Sequence, residues 1–195
     1  MTTQLKAGQF IPQFSIEDVS GKMINSRDLE GKKLYITFLR NTACPLCSFH
    51  VFRLLKLTDQ LKANNVEVIA FYESKRQVIM SSPFFRDQVL NDKKMTVISD
   101  TARKVYTLFG AEVNPQKATF EILQAHGRIP KIEDAAKNGF IGDGIQQGTN
   151  ADAIPADFLV DEAGRIVYAH YGIDAADNIP LEKVEDFAFN TTLVK

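Results

Sequence analysis

Cys44-Pro45-Leu46-Cys47 is the segment whose residue types and spacing can do chemistry, and it holds both cysteines of a 195-residue chain. A thiolate is a nucleophile, and a second sulfur three residues on can close a small disulfide and release whatever the first has attacked. In outline this is a dithiol redox couple. Two cysteines so close together cannot staple a fold of this size, so a disulfide scaffold is excluded. Two rivals remain: a pair of buried structural thiols, and a zinc site on Cys-x-x-Cys-x-x-His with His50, completed by His126, His170 or a carboxylate. Covalent haem attachment would need His directly after the second Cys, where Ser48 stands.

The elements around the pair decide its reactivity. Leu34 to Leu39 is apolar or β-branched throughout and fits a strand buried on both faces. Arg40-Asn41-Thr42-Ala43 forms the turn, and a largely buried helix is predicted from Pro45 to Asn64. Cys44 then sits at the helix N-cap or first turn and Cys47 one turn inside, with Pro45 suited to the first helical position. Free N–H groups and the positive end of the helix dipole stabilise a thiolate there, where thiol pKa values run from about 3.5 to 7.5. His50, one turn beyond Cys47, is a candidate to tune it.

The rest of the chain repeats the strand–helix rhythm. A hairpin is expected from 14–17 and 22–25, a strand at 66–71, a helix within 77–91 broken at Ser81-Ser82-Pro83, and a strand at 95–98. Asp100 is the candidate cap of a helix over 101–109. Strands at 156–160 and 165–170 are joined by Asp161-Glu162-Ala163-Gly164 as an antiparallel hairpin, and a helix over 181–187 follows Pro180. Residues 111–150 break the rhythm: helices at 115–125 and 131–137 precede Gly139–Asn150, which carries four of the 11 glycines. The region is read as an insertion covering one side of the domain. Phe49, Phe52, Phe84 and Phe85 are core candidates.

Composition narrows the classes. With 23 basic and 24 acidic residues and no block of like charge, nothing points to nucleic acid or an anionic membrane. Apolar stretches fall short of the roughly 18 residues a membrane span needs, and the N-terminus lacks a secretory leader pattern. A cytoplasmic location is expected.

The C-P-L-C at a strand–helix junction, with Ile154-Pro155 before a late strand, resembles the thioredoxin fold, which implies a cis proline facing the cysteines at Pro155. Gly8-x-x-x-Pro12-x-Phe14, Gly21-Lys22, Asp28-Leu29, Gly31-Lys32, Ile98-Ser99-Asp100, Val105-Tyr106, Phe158-Leu159-Val160-Asp161 and Gly164-Arg165-Ile166-Val167 together resemble the peroxiredoxin-like (alkyl hydroperoxide reductase and thiol-specific antioxidant, AhpC/TSA) family. That family places Thr or Ser three residues before the attacking Cys, where this chain has Asn41 before Cys44. Thr42 is displaced to two residues upstream. The family's Arg before the late-strand aromatic is replaced by Pro155, and Arg40 is the candidate substitute cation.

The resulting expectation is one α/β domain over 1–195 with a thioredoxin fold, a mixed central sheet, an N-terminal β-hairpin and the 111–150 insertion. Cys44 and Cys47 are the catalytic candidates, supported by Arg40, Thr42 and Pro155, with no cofactor and no metal. The resemblance implies an antioxidant activity in which a hydroperoxide oxidises one thiolate to a sulfenic acid, the other cysteine condenses with it, and a thioredoxin-type donor reduces the disulfide. The alternative is exchange with a protein disulfide, in which Cys44, as the more exposed thiol, attacks. A metal-holding or redox-sensing module is the non-enzymatic alternative, and a homodimer is compatible with all of these.

Overall fold

A computed structural model describes residues 3–91 and 94–189, so the outermost residues of the expected 1–195 domain lie outside the described part. Two short strands, β1 (Ser15–Glu17) and β2 (Met23–Asn25), form the expected N-terminal hairpin. The main sheet is built around β3 (Lys33–Phe38), whose six residues are all buried. β3 pairs in parallel with β4 (Val66–Tyr72), which pairs in parallel with β5 (Thr96–Ser99). On its other side β3 runs antiparallel to β6 (Ala156–Val160), which pairs antiparallel with β7 (Ile166–Tyr171). The order β5-β4-β3-β6-β7 is the mixed, thioredoxin-like sheet that the sequence implied.

Side-chain alternation along the central strands creates two cores. Leu34, Ile36 and Phe38 join Phe71, Tyr106, Phe109 and Phe158 on one face, with Phe38 stacked on Phe71 at 4.7 Å. Tyr35 and Leu39 join Val68, Ala70 and Tyr72 on the other face, under helix α1 (Pro45–Leu55) and both cysteines. The cysteines therefore sit at the C-terminal ends of β3 and β4, where open α/β sheets place their sites.

Several boundaries differ from the sequence reading for local reasons. The helix expected over 45–64 is two, α1 and α2 (Thr58–Ala63). Lys56 and Leu57 N–H groups bond only three residues back, and the Thr58 hydroxyl takes the Leu55 carbonyl at 2.8 Å. The helical region after β4 breaks as expected, α3 (Arg76–Ser81) being followed by a π turn over Phe85–Val89. Helix α4 (Lys104–Phe109) starts three residues later than expected because Arg103 adopts a left-handed conformation. Asp100 still caps it, accepting from the N–H groups of Lys104 (3.0 Å) and Val105 (2.7 Å).

Between α4 and β6 the chain forms a 3₁₀ turn (Pro115–Lys117), α5 (Phe120–Ala125) and α6 (Ile129–Lys137), the first two standing where one helix was expected. Thr119 restarts the chain as the N-cap of α5, accepting from Ile122 N–H at 3.3 Å. Arg128, before α6, ties this segment to Asp174 (2.9 Å) and Asp177 (2.6 Å). Helix α7 (Leu181–Phe189) closes the described chain on the cysteine face. No helix among the described residues is long and apolar enough to cross a membrane.

The capping bonds of Asp100 are buried, so Asp100→Ala strands several α4 N–H groups. The variant is expected to lose about 2 kcal/mol of stability, seen as a lower urea midpoint at unchanged slope. An unaltered midpoint would show that water caps the helix equally well.

Candidate active site

The strand-to-helix turn places Cys44 as the N-cap of α1 and Pro45 at the first helical position, as expected. The turn is tight: Asn41 Oδ1 accepts from Ala43 N–H at 3.0 Å, and Asn41 O accepts from Cys44 N–H at 3.2 Å. Cys44 Sγ accepts from Cys47 N–H at 3.3 Å and from Arg40 Nη2 at 3.1 Å. No disulfide joins the two sulfurs.

Burial by itself pushes the Cys44 thiol up. The hydrogen bond from the Cys47 thiol, the Arg40 charge and the Cys47 N–H outweigh it and hold the thiol down at about 6. Burial, followed by the adjacent Cys44, pushes the Cys47 thiol well above its ordinary range. The pair is thus divided into a thiolate, Cys44, and a proton-bearing thiol, Cys47. That is the arrangement an attacking and a resolving sulfur require.

Exposure corrects the expectation that Cys44 is the more accessible thiol, since Cys44 is 0% exposed and Cys47 4%. The glycine-bearing stretch from Gly139 to Ala153 is tied to the residues around the cysteines. Asn41 Nδ2 donates to Gly144 O (2.9 Å) and Thr149 Oγ1 (2.9 Å), and Glu73 Oε2 accepts from Asn150 N–H (2.8 Å) and Nδ2 (2.7 Å). Arg40 Nη1 donates to Ala151 O, so one guanidinium binds both this stretch and the Cys44 sulfur. Gly144 has a φ of +73°, which disfavours a side chain there, and a Cβ would stand 2.6 Å from Arg40 Nη2.

The other expected site residues fall differently. Arg40 is brought to the thiolate. Thr42 is not: its hydroxyl lies 3.0 Å from Gln146 Nε2 and 3.3 Å from Ser74 Oγ. The cis proline implied at Pro155 is absent, because no cis peptide bond occurs among the described residues. Ile154 N–H bonds to Glu112 O, Ala153 bridges Val113 and Pro155 O accepts from Gly172 N–H, so the chain enters β6 already extended. His50 points away from chemistry: its Nε2 lies 2.9 Å from Tyr35 Oη, and burial with nearby Lys131 and Arg53 lowers its pKa to about 3, which keeps it neutral. His126 meets Asp174, and His170 meets Asp177. Among the described residues no cluster of His, Cys, Asp and Glu is arranged to hold a metal ion.

Sequence reasoning missed Asn41, Glu73, Ser74, Gln146 and Asn150 as site residues. One signal was available: Glu73-Ser74 directly follows an apolar strand, at the sheet edge where ligands bind.

The fold and the paired thiols define a thioredoxin-fold thiol oxidoreductase. The AhpC/TSA family model matches residues 7–169, and the chain belongs to that family. It is 30% identical over 142 residues to Peroxiredoxin Bcp of Escherichia coli (strain K12), covering 68% of this chain and 88% of the relative. It is also 28% identical over 127 residues to Thiol-disulfide oxidoreductase ResA of Halalkalibacterium halodurans, covering 65% of this chain and 68% of the relative. The crystal structure of Peroxidoxin BcpB from Mycobacterium tuberculosis superposes with a TM-score of 0.63 at 12% identity, over 95% of this chain and 97% of that one. The chain is a peroxiredoxin-like, thiol-dependent oxidoreductase.

Thiolate absorbance of the reduced protein is expected to titrate with a midpoint of about 6, and Cys44→Ser should remove that step. Arg40→Met should raise the midpoint by about one pH unit or more. The low midpoint also gives a sign to stability. The contribution is complete above the unfolded thiol value of about 8.5 and is lost as pH falls through the folded one. A midpoint unmoved by Arg40→Met would assign the stabilisation to the Cys47 thiol and N–H.

Proposed function

We propose that the chain reduces hydroperoxides through a Cys44/Cys47 dithiol–disulfide cycle and is regenerated by a thioredoxin-type dithiol donor. The observation that carries this reading is the Cys44 sulfur on the α1 N-terminus, 3.1 Å from the Arg40 guanidinium, beside a Cys47 thiol that stays protonated. The likeness to Peroxiredoxin Bcp supports the same chemistry. The Cys44 thiolate attacks the terminal peroxide oxygen, the O–O bond breaks, and an alkoxide or hydroxide leaves and is protonated. Cys47 then displaces water from the Cys44 sulfenic acid to form the disulfide, and the donor's dithiol reduces it by exchange.

Exchange with a protein disulfide is the second reading, supported by the likeness to a thiol-disulfide oxidoreductase. Burial of both sulfurs favours the smaller oxidant. The proposal includes a single domain with residues 111–150 as an insertion that covers the cysteines, and a cytoplasmic location where dithiol donors are in supply. A homodimer is compatible with this reading.

With a thioredoxin-type donor and hydrogen peroxide, Cys44→Ser is expected to abolish turnover. Cys47→Ser should still consume one equivalent of peroxide and accumulate a sulfenic acid, trapped by dimedone and weighed by mass spectrometry. Dimedone labelling of Cys47 in the Cys44→Ser protein would reverse the roles, and turnover surviving both substitutions would defeat the assignment.

A further inference from the structure

Two buried donors beside the cysteines have no hydrogen-bond partner among the described residues: the Tyr72 hydroxyl and Arg40 Nε. Such groups are rare in a folded core and call for an explanation. Three other tyrosine hydroxyls do find acceptors: Tyr35 on Asp157 Oδ1 (2.9 Å), Tyr106 on Leu39 O (2.6 Å) and Tyr171 on Phe109 O (2.6 Å). Tyr72, 0% exposed, does not.

Its place in the fold brings it to the face that carries the cysteines. Tyr72 ends β4, and the bonds Leu39 N–H to Phe71 O (2.9 Å) and Glu73 N–H to Arg40 O (3.1 Å) lock that end beside Leu39-Arg40. Alternation along β4 puts Tyr72 on the α1 face, in the same core cluster as Cys44 and Cys47. Its ring is fixed edge-on against Phe85 at 5.1 Å. Burial, and after it the neighbouring cysteine pair, raises the hydroxyl's pKa well above the ordinary tyrosine value, so it remains a proton donor at neutral pH.

The site has a use for such a donor. Breaking an O–O bond places negative charge on the departing oxygen, and a donor aimed at that oxygen stabilises it. Asn41 stands where the family resemblance calls for Thr or Ser, Pro155 stands where it calls for Arg, and the displaced Thr42 hydroxyl is engaged by Ser74 and Gln146.

We propose that Tyr72 is a catalytic residue of the peroxidase step, donating its O–H to the leaving oxygen while Arg40 holds the thiolate and offers Nε–H to the same peroxide. This assignment rests on the peroxidase reading above. Cys44 sulfur bonds to the terminal oxygen, which keeps its hydrogen and becomes the sulfenic O–H. The O–O bond breaks, sulfur is oxidised and the peroxide reduced. The electron pair leaves on the second oxygen, which accepts the Tyr72 hydrogen bond and takes its proton from solvent.

Tyr72→Phe removes the hydroxyl and nothing else. The rate of oxidation by hydrogen peroxide, followed by stopped flow, is expected to fall about 100-fold. Alkylation of Cys44 by iodoacetamide, whose leaving iodide needs no O–H donor, should stay within about twofold of wild type. The thermal midpoint should be equal or higher, because an unsatisfied buried hydroxyl has gone. A peroxide rate within about twofold of wild type overturns the assignment, as does a parallel fall of both rates, which would mark a structural role. Wild-type protein that reacts with peroxide no faster than free cysteine overturns the peroxidase reading and this assignment with it, whereas a fast wild type with an unimpaired variant overturns this assignment alone.

Discussion

Everything at this site depends on the contact between the Arg40 guanidinium and the Cys44 sulfur. A thiol as buried as Cys44 should be neutral and inert, since taking its charged form out of water is costly. The Cys47 thiol, Arg40 and the Cys47 N–H reverse that preference together, because charge-assisted hydrogen bonds strengthen where the dielectric is low. The same guanidinium binds Ala151 O, so the 139–153 stretch and the Cys44 sulfur share one side chain.

Holding Arg40 in place is what the sheet does. The pairing of β3 with β4 continues one step past both strands, through Leu39 N–H to Phe71 O and Glu73 N–H to Arg40 O. Glu73, 1% exposed, then pairs with Arg103 on one side and with Asn150 of that stretch on the other. A chain of buried polar bonds thus runs from α4 through the strand end to the loop that carries Asn150. Glu73 has a partner on each side, which is why its buried carboxylate is tolerated there. The aromatic core on the opposite face, with Phe38 between Phe71, Tyr106, Phe109 and Phe158, makes the platform rigid.

Local chemistry was legible in the sequence. Pro45 beside Cys44 marked a helix start, the unbroken apolar run to Leu39 marked a buried strand, and Asp100 marked a cap; each depends on neighbours within a few residues. What could not be read was long-range. Nothing in Gly139–Asn150 announces that Gly144 will approach Arg40, or that Asn41 will bond across more than a hundred residues to Gly144 O and Thr149. The same stretch brings Gln146 to the Thr42 hydroxyl. The peptide before Pro155 was misjudged for the same reason: its geometry follows from the bonds of Ala153 and Ile154 to the Glu112-Val113 segment, far away in sequence. Tyr72 fell one residue past the strand expected at 66–71, and its unpaired hydroxyl emerges only in three dimensions.

The central claim is that a buried Cys44, ionised by Arg40 and the start of α1, is the group that meets the oxidant. It is tested most directly by the pH dependence of the second-order rate constant for oxidation of the reduced protein by hydrogen peroxide. The account predicts a rise governed by one ionisation at about 6 and a plateau from neutral pH upward. A rate still climbing through the ordinary thiol range near about 8.5 would contradict it.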